Sequence, residues 1–326
     1  MTTLGDNAFA SCTSLRKVTF YGYVDETLTL GYEPFIFCPL EELVIYRNLD
    51  YFDVPFHEHK IRSVEFGEGV TTIPHKLLEH CETLTNVKLP STLTTIGEAA
   101  FKNCTGLTDI PLPFQVASIG REAFSGCTGL TEILTPRSLT EMEEGAFEGC
   151  SNAHRITVNG SLPIIPHEAF SGCTSAVEVI LPESIRIIEE GAFENCEALH
   201  TVTSTNPNPP LTYESAFPNR ADSIVLYVPV GAVDAYRSAI VWEDFFRILE
   251  IGTPIGIADD TRQPGGLSLS TDGGMLRIDG LPEGTPTEVY TANGALLYQG
   301  TATSVALPGR GLYIVRAAGQ TKKIAF

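Results

Sequence analysis

Eight cysteines are the side chains in this sequence best suited to chemistry, and their spacing limits what that chemistry is. They are Cys12, Cys38, Cys81, Cys104, Cys127, Cys150, Cys173 and Cys196, and the last six follow one another at 23-residue steps. No Cys-x-x-Cys pair occurs, so the spacing of a zinc site is missing. A disulfide needs Cα atoms about 5.5 Å apart and converging side-chain vectors. Equivalent residues of stacked repeats approach that distance but point the same way. The expectation is a ladder of buried free thiols, each packing as a small hydrophobe. His57-Glu58-His59, with Asp50 and Asp53 nearby, is the one metal-like cluster. On a strand the two histidines share a face, but the spacing matches no catalytic set, and a solvated polar turn competes with the metal reading. Ser125, Thr174 and Ser175 lie in repeat turns and imply no Ser-His-Asp grouping. Gly273-Gly274 joins two strands with no helix to follow, which is not a phosphate loop. No catalytic residue, metal or cofactor is expected; a metal-dependent enzyme using the His57-Glu58-His59 loop remains the alternative.

The cysteines belong to a larger repeat. Ile96-Gly97-Glu98-Ala99-Ala100-Phe101-Lys102-Asn103-Cys104 returns as Ile119-Gly120-Arg121-Glu122-Ala123-Phe124-Ser125-Gly126-Cys127, and again around Phe147, Phe170 and Phe193. Self-similarity at this period means a solenoid. Rungs start at Leu15, Leu40, Ile61, Leu84, Leu107, Leu130, Ala153, Ala176 and Leu199, with first steps of 25, 21 and 23 residues and 23 thereafter. Within Leu84-Thr85-Asn86-Val87-Lys88-Leu89 the polar–apolar alternation predicts a short strand with one buried face. Pro90, Pro113, Pro136 and Pro182 end such strands because proline has no N–H to continue a ladder. The second half of each rung supplies Phe as core filler and Gly for a positive φ or a close backbone approach.

Two regions depart from the pattern. The rung containing Asp50 to Lys60 has lost its Cys and reads as a bulged, exposed turn. Asn206-Pro207-Asn208-Pro209-Pro210 breaks the register and leaves a last, partial rung. A capping helix is predicted near residues 230–248, with Trp242 in the core. The repeat domain therefore spans 1–250, a Pro/Gly linker 251–266, and a third segment 267–326. That last segment holds seven short alternating stretches divided by turn signals such as Asn293-Gly294, which predicts a small all-β sandwich.

The motif Ile-Gly-x-x-Ala-Phe-x-x-Cys-x-x-Leu-x-x-Val-x-Leu-Pro resembles the BspA-type leucine-rich repeats of bacterial surface proteins. Leu226-Tyr227-Val228-Pro229, Ala235-Tyr236, Trp242 and Phe245 resemble the way such arrays end in Bacteroidetes. Val289 to Gly294, Gly311 to Arg316 and Lys322-Lys323-Ile324 are similar to a type IX secretion sorting tail. The resemblance implies a secreted or cell-surface adhesion protein without catalytic residues, engaging the secretion machinery through its C-terminal module.

Composition agrees with a binder that avoids polyanions. The net charge of −19 disfavours nucleic acid and anionic membrane surfaces. No run reaches the roughly 18 apolar residues of a membrane helix. Met1 to Gly5 has no signal-peptide pattern and enters directly into a repeat, so a signal and a cap are expected upstream. The outward strand positions vary while the inward ones stay apolar. Lys17, Glu42, Asn86, Lys88, Asp109, Glu132, Arg155 and Glu178 on that face are the candidate contacts for a protein or glycan on host or other cells. Tyr21, Tyr23 and Tyr32 form an aromatic patch, read either as a contact surface or as packing under the missing cap. A structural spacer is the competing non-enzymatic reading.

Overall fold

The computed structural model describes residues 2–23, 26–52, 54–56, 59–218 and 221–253, and in the C-terminal part 267–272, 275–279, 281, 284–291, 295–309, 312–317 and 320–325. The chain divides into two units, Met1–Ile251 and Gly252–Phe326.

The first unit is a leucine-rich repeat solenoid of parallel strands with almost no helix. A typical rung contributes a front strand, a short second strand and a turn. The front strands form a four-stranded sheet from Lys17–Phe20, Glu42–Ile45, Ser63–Phe66 and Asn86–Lys88, and a six-stranded sheet running from Glu132–Leu134 to Arg247–Glu250. Pairing is parallel and in register, with Lys17 opposite Glu42, Glu42 opposite Ser63 and Ser63 opposite Asn86. The two sheets are separated at the rung of Asp109-Ile110-Pro111, which is not a strand. Pro111 stands 23 residues after Lys88 and 23 before Leu134, so it occupies a ladder position without an N–H to donate. The second strands are interrupted in the same way between Glu141–Met142 and Ile164–Ile165. There Pro163 stands where Thr140 and Arg186 donate to Ala117 and to Pro163 itself at 2.9 and 2.7 Å. The gaps fall at different rungs on the two faces, and the turns run through both.

The turn amides bond forward, while amides at the starts of many strands bond backward. The N–H groups of Ala99, Phe101 and Asn103 donate to the carbonyls of Arg121, Ala123 and Ser125 at 2.7–2.8 Å in the next rung. Asn86 and Thr94 donate back to Arg62 and Thr71 at 3.1 and 2.8 Å. Aiming every second turn amide along the axis requires two residues with positive φ, four apart: Lys76 and His80, Ala99 and Asn103, Glu122 and Gly126, Gly145 and Gly149, Glu168 and Gly172. Several are not glycine, and each such residue costs on the order of 1 kcal/mol or more. The Gly of Ile-Gly is there for the other reason. A Cβ on Gly97 would sit 2.7 Å from the backbone nitrogen of His75 in the rung below.

Inside, the repeat phenylalanines stack. Phe101, Phe124, Phe147, Phe170, Phe193 and Phe217 lie face to face with centroids 5.0–5.6 Å apart. Two sequence expectations change here. The Asp50–Lys60 rung is not simply bulged: Leu49–Tyr51 is a strand, and Phe56 is fully buried against Phe35 at 6.0 Å. The Asn206–Pro210 stretch does not leave a merely partial rung either, since the second strand Leu211–Thr212 and the front strand Val225–Val228 follow it. It inserts one residue, so Thr201 pairs with Val225, and Phe217 still stacks on Phe193 at 5.3 Å. The side-chain amide of Asn206 is buried and donates to the Ile185 carbonyl at 2.7 Å.

The cap is less helical than expected. The helix spans only Val233–Arg237; a 3-10 turn Trp242–Asp244 and a strand Arg247–Glu250 follow, and the strand extends the front sheet by pairing with Val225–Val228. Trp242 is buried, packs edge-on to Phe217 and Tyr236, and donates its indole N–H to Pro210 at 2.8 Å. The Tyr236 hydroxyl donates to the Asn206 carbonyl at 2.9 Å and meets Ser204 Oγ at 2.7 Å. These bonds satisfy the polar atoms that the cap buries.

In the second unit the described residues form seven antiparallel strands in two sheets, of three and four strands. One core with Leu276, Ile278, Val289, Val305 and Val315 draws on both sheets, an arrangement compatible with a small β-sandwich. The linker expected over 251–266 falls mostly outside the described residues.

Candidate functional site

The geometry of the buried cysteine ladder makes it inert. Cys12 is exposed, the other seven cysteines are buried, and all eight are free. The thiols of Cys104, Cys127, Cys150 and Cys173 lie 3.0–3.5 Å from the carbonyl oxygens of Leu78, Phe101, Phe124 and Phe147 in the preceding rung. Each S–H donates to a carbonyl that also accepts an amide within its own turn, as Phe101 accepts from Cys104 at 3.1 Å. The repeat Cys is thus a donor as well as a hydrophobe, which composition alone does not reveal. Burial pushes the thiols of Cys81, Cys127 and Cys196 up to about 12, far from a reactive thiolate.

Of the His57-Glu58-His59 loop, His57 and Glu58 lie outside the described residues, as does Asp53. His59 takes the place of the missing Cys, with its Nδ1 2.9 Å from the Cys38 carbonyl. A second acidic grouping, Glu144, His167 and Glu168, brings its ligand atoms within 4.8 Å of one another. Arg121 already pairs with Glu144 at 3.0 Å, and all three side chains are part-exposed. Among the described residues this grouping has the character of a surface ion network rather than a built metal centre.

The front face holds the candidate contacts. In-register stacking places residues of adjacent rungs directly over one another, and opposite charges meet there. Lys17 pairs with Glu42 at 3.1 Å, Lys88 with Glu65 at 2.6 Å and Arg155 with Glu178 at 2.8 Å. Glu65 beside it holds the Lys88 ammonium above its ordinary value, through their hydrogen bond first and their charge attraction second. Exposed pairs of this kind contribute about 0–1 kcal/mol each. They orient side chains more than they stabilise the fold.

The eight candidates separate into groups. Lys17, Glu42, Asn86 and Lys88 come together around a shallow concavity of about 430 Å³ on the four-stranded sheet, with Val44, Ser63, Glu65 and Pro111. Glu132, Arg155 and Glu178 stand on the six-stranded sheet, and Asp109 stands in the rung between. The sequence places Glu65 outward without singling it out as a contact, and it leaves Tyr46 unmarked. Tyr46 continues the outward row Glu42, Val44, Tyr46, so extending the alternation by one step would have found it. The tyrosine patch is also rearranged. Tyr21 stacks on Tyr46, centroids 5.5 Å apart and planes 5° from parallel. Tyr32 follows the second-file strand Leu28–Leu30, where its amide donates to Asp6 at 2.7 Å.

No helix among the described residues is long and apolar enough to cross a membrane. Crystal structures of several bacterial proteins are similar to this chain. A leucine-rich repeat protein of T. pallidum is 23% identical, with 56% of this chain and 82% of that one covered and a TM-score of 0.43. One from Bacteroides ovatus is 20% identical, with 77% and 76% covered and a TM-score of 0.39. A leucine-rich cell surface protein of Faecalibacterium prausnitzii is 22% identical, with 78% and 77% covered and a TM-score of 0.34. No curated protein matches the chain. The model of the BspA type leucine-rich repeat region matches six copies over residues 1–108 and 94–221. That span takes in the front strands as far as Thr201–Ser204, the phenylalanine stack and the thiol ladder, and the chain belongs to the BspA-type leucine-rich repeat family.

Proposed function

We propose that this is a non-catalytic, secreted or cell-surface protein that binds a protein or glycan of a host or neighbouring cell through its front strand face. The observation that carries the reading is the concavity around Lys17, Glu42, Asn86 and Lys88. The rung invests its inward positions in packing and leaves these outward side chains to vary on a rigid frame, which suits recognition. The C-terminal unit serves export, in keeping with the resemblance of its last strands to a sorting tail. Mass spectrometry of the mature surface protein tests that part: an intact C-terminus at the final location contradicts removal of the module after export.

The face itself is tested with a binding screen against extracellular-matrix proteins and glycans. The combined variant Lys17→Gln, Glu42→Gln, Glu132→Gln, Arg155→Gln is expected to bind any ligand so found at least about tenfold more weakly, a change of about 1.4 kcal/mol. Undiminished binding by a correctly folded variant removes the front face from consideration.

A further inference from the structure

The tyrosine pair sits beside the concavity and on the same face. The outward rows of the first three rungs read Lys17, Thr19, Tyr21; Glu42, Val44, Tyr46; and Ser63, Glu65, Gly67. Ladder bonds continue to the last position of each row, from the Tyr46 amide to Phe20 at 3.0 Å and from the Gly67 amide to Ile45 at 2.8 Å. Tyr21, Tyr46 and Gly67 are therefore neighbours across three rungs. Tyr21 is 75% exposed. The Tyr46 ring lies over Gly67, where an added Cβ would come within 2.0 Å of its Cδ1. A glycine in this row leaves room for the Tyr46 ring, which is held between Tyr21 and Gly67, so Tyr21 presents the exposed ring of the pair, and Tyr46 directly follows Val44 of the concavity by one step of the outward row.

The polar groups that line the concavity are balanced. Lys17 is matched by Glu42 and Lys88 by Glu65, while Asn86 and Ser63 add an amide and a hydroxyl. A charged ligand would have to break an existing pair. A polyol need not, because each of its hydroxyls both donates and accepts, and an ammonium–carboxylate pair offers both roles side by side. The C–H faces of a sugar ring carry partial positive charge, and the tyrosine face is negative. The volume of about 430 Å³ lies within the range of small-ligand sites. We infer that Tyr21 and Tyr46, with Lys17, Glu42, Glu65 and Lys88, form a binding site for a neutral oligosaccharide. The inference rests on the front-face reading above and names the ligand class for its first four rungs.

The test uses the intact chain and four probes: cellohexaose, xylohexaose, mannohexaose and maltohexaose, titrated calorimetrically. At least one is expected to bind. Tyr21→Ala and Tyr46→Ala should each weaken it about tenfold, near the upper end of an aromatic stacking contribution. Gly67→Ala should do the same by displacing the ring, without removing any polar contact. Glu132→Gln with Arg155→Gln, on the other sheet, should leave it unchanged. Circular dichroism confirms that each variant is folded. Sugar binding that survives both tyrosine substitutions, or no binding of any of the four, overturns the inference. If the sugars fail while a protein ligand is lost on Lys17→Gln with Glu42→Gln, the face binds protein and only the sugar assignment falls. If no ligand depends on the face, both readings fall.

Discussion

The turn face and the front face share one period and use it in opposite ways. On the turn face every repeated side chain is committed. Phe124 stacks on Phe101 and Phe147 at 5.2 and 5.0 Å, and Cys127 donates to Phe101 at 3.0 Å. On the front face the inward residues Val64 and Ile156 are buried, while the outward ones make contacts between neighbouring rungs, such as the ion pair Arg155–Glu178 at 2.8 Å and the Tyr21–Tyr46 stack. A stack that buries a residue in every rung constrains it from both sides; a strand face constrains only alternate residues. Stability is therefore concentrated in the turns, and freedom to evolve a contact surface in the front strands.

The sharpest way to break this contrast is to empty the stack. Phe147→Ala removes a ring held between two others and is expected to cost about 3–5 kcal/mol, read by denaturant unfolding. A loss under about 1 kcal/mol would mean that the stack is not the source of stability.

The thiol ladder gives a smaller effect with a definite sign. Cys81, Cys127 and Cys196 have folded-state values pushed up to about 12 from an ordinary 9.0. The folded chain then holds protons that the unfolded chain releases. Stability is thus fully present below about pH 9 and falls as pH rises toward 12, which thermal melts across that range would show. In the native protein at neutral pH a thiol reagent should modify Cys12 alone, since the other seven are buried. Rapid labelling of several cysteines would break the ladder account.

The smallest effect belongs to the front face. Arg155→Gln is expected to shift stability by less than about 1 kcal/mol, because the pair it breaks is half-exposed and screened. A larger loss would show that the outward pairs stabilise the stack and would weaken the division between the faces.

Much of the fold was legible beforehand. The 23-residue step located the rungs, and the Leu-x-x-Val-x-Leu alternation separated inward from outward residues, since strand side chains alternate strictly. Trp242 was legible as core because a cap must bury apolar surface. The site was legible only in part. Lys17, Glu42, Asn86 and Lys88 were recognised as outward, but nothing local in the sequence said that they gather in one concavity with Glu65. Lys17 and Glu42 are 25 residues apart, while Glu65 and Lys88 are 23 apart, so pairing depends on how insertions are absorbed in the turns.

What the sequence determined by itself was whatever repeats: the period, the buried phenylalanines, the free thiols and the strand-ending prolines Pro90, Pro136 and Pro182, whereas Pro113 follows a rung without a strand. These follow from backbone geometry and side-chain size, which every rung experiences alike. The tertiary structure alone decided what each rung meets in its neighbours. It turned the predicted capping helix into a short helix, a 3-10 turn and a strand that extends the sheet. It set Tyr21 against Tyr46 over Gly67. It gave each buried thiol a carbonyl to bond. Those contacts join residues about 20 to 30 positions apart, and their geometry exists only once the register of the whole stack has been set.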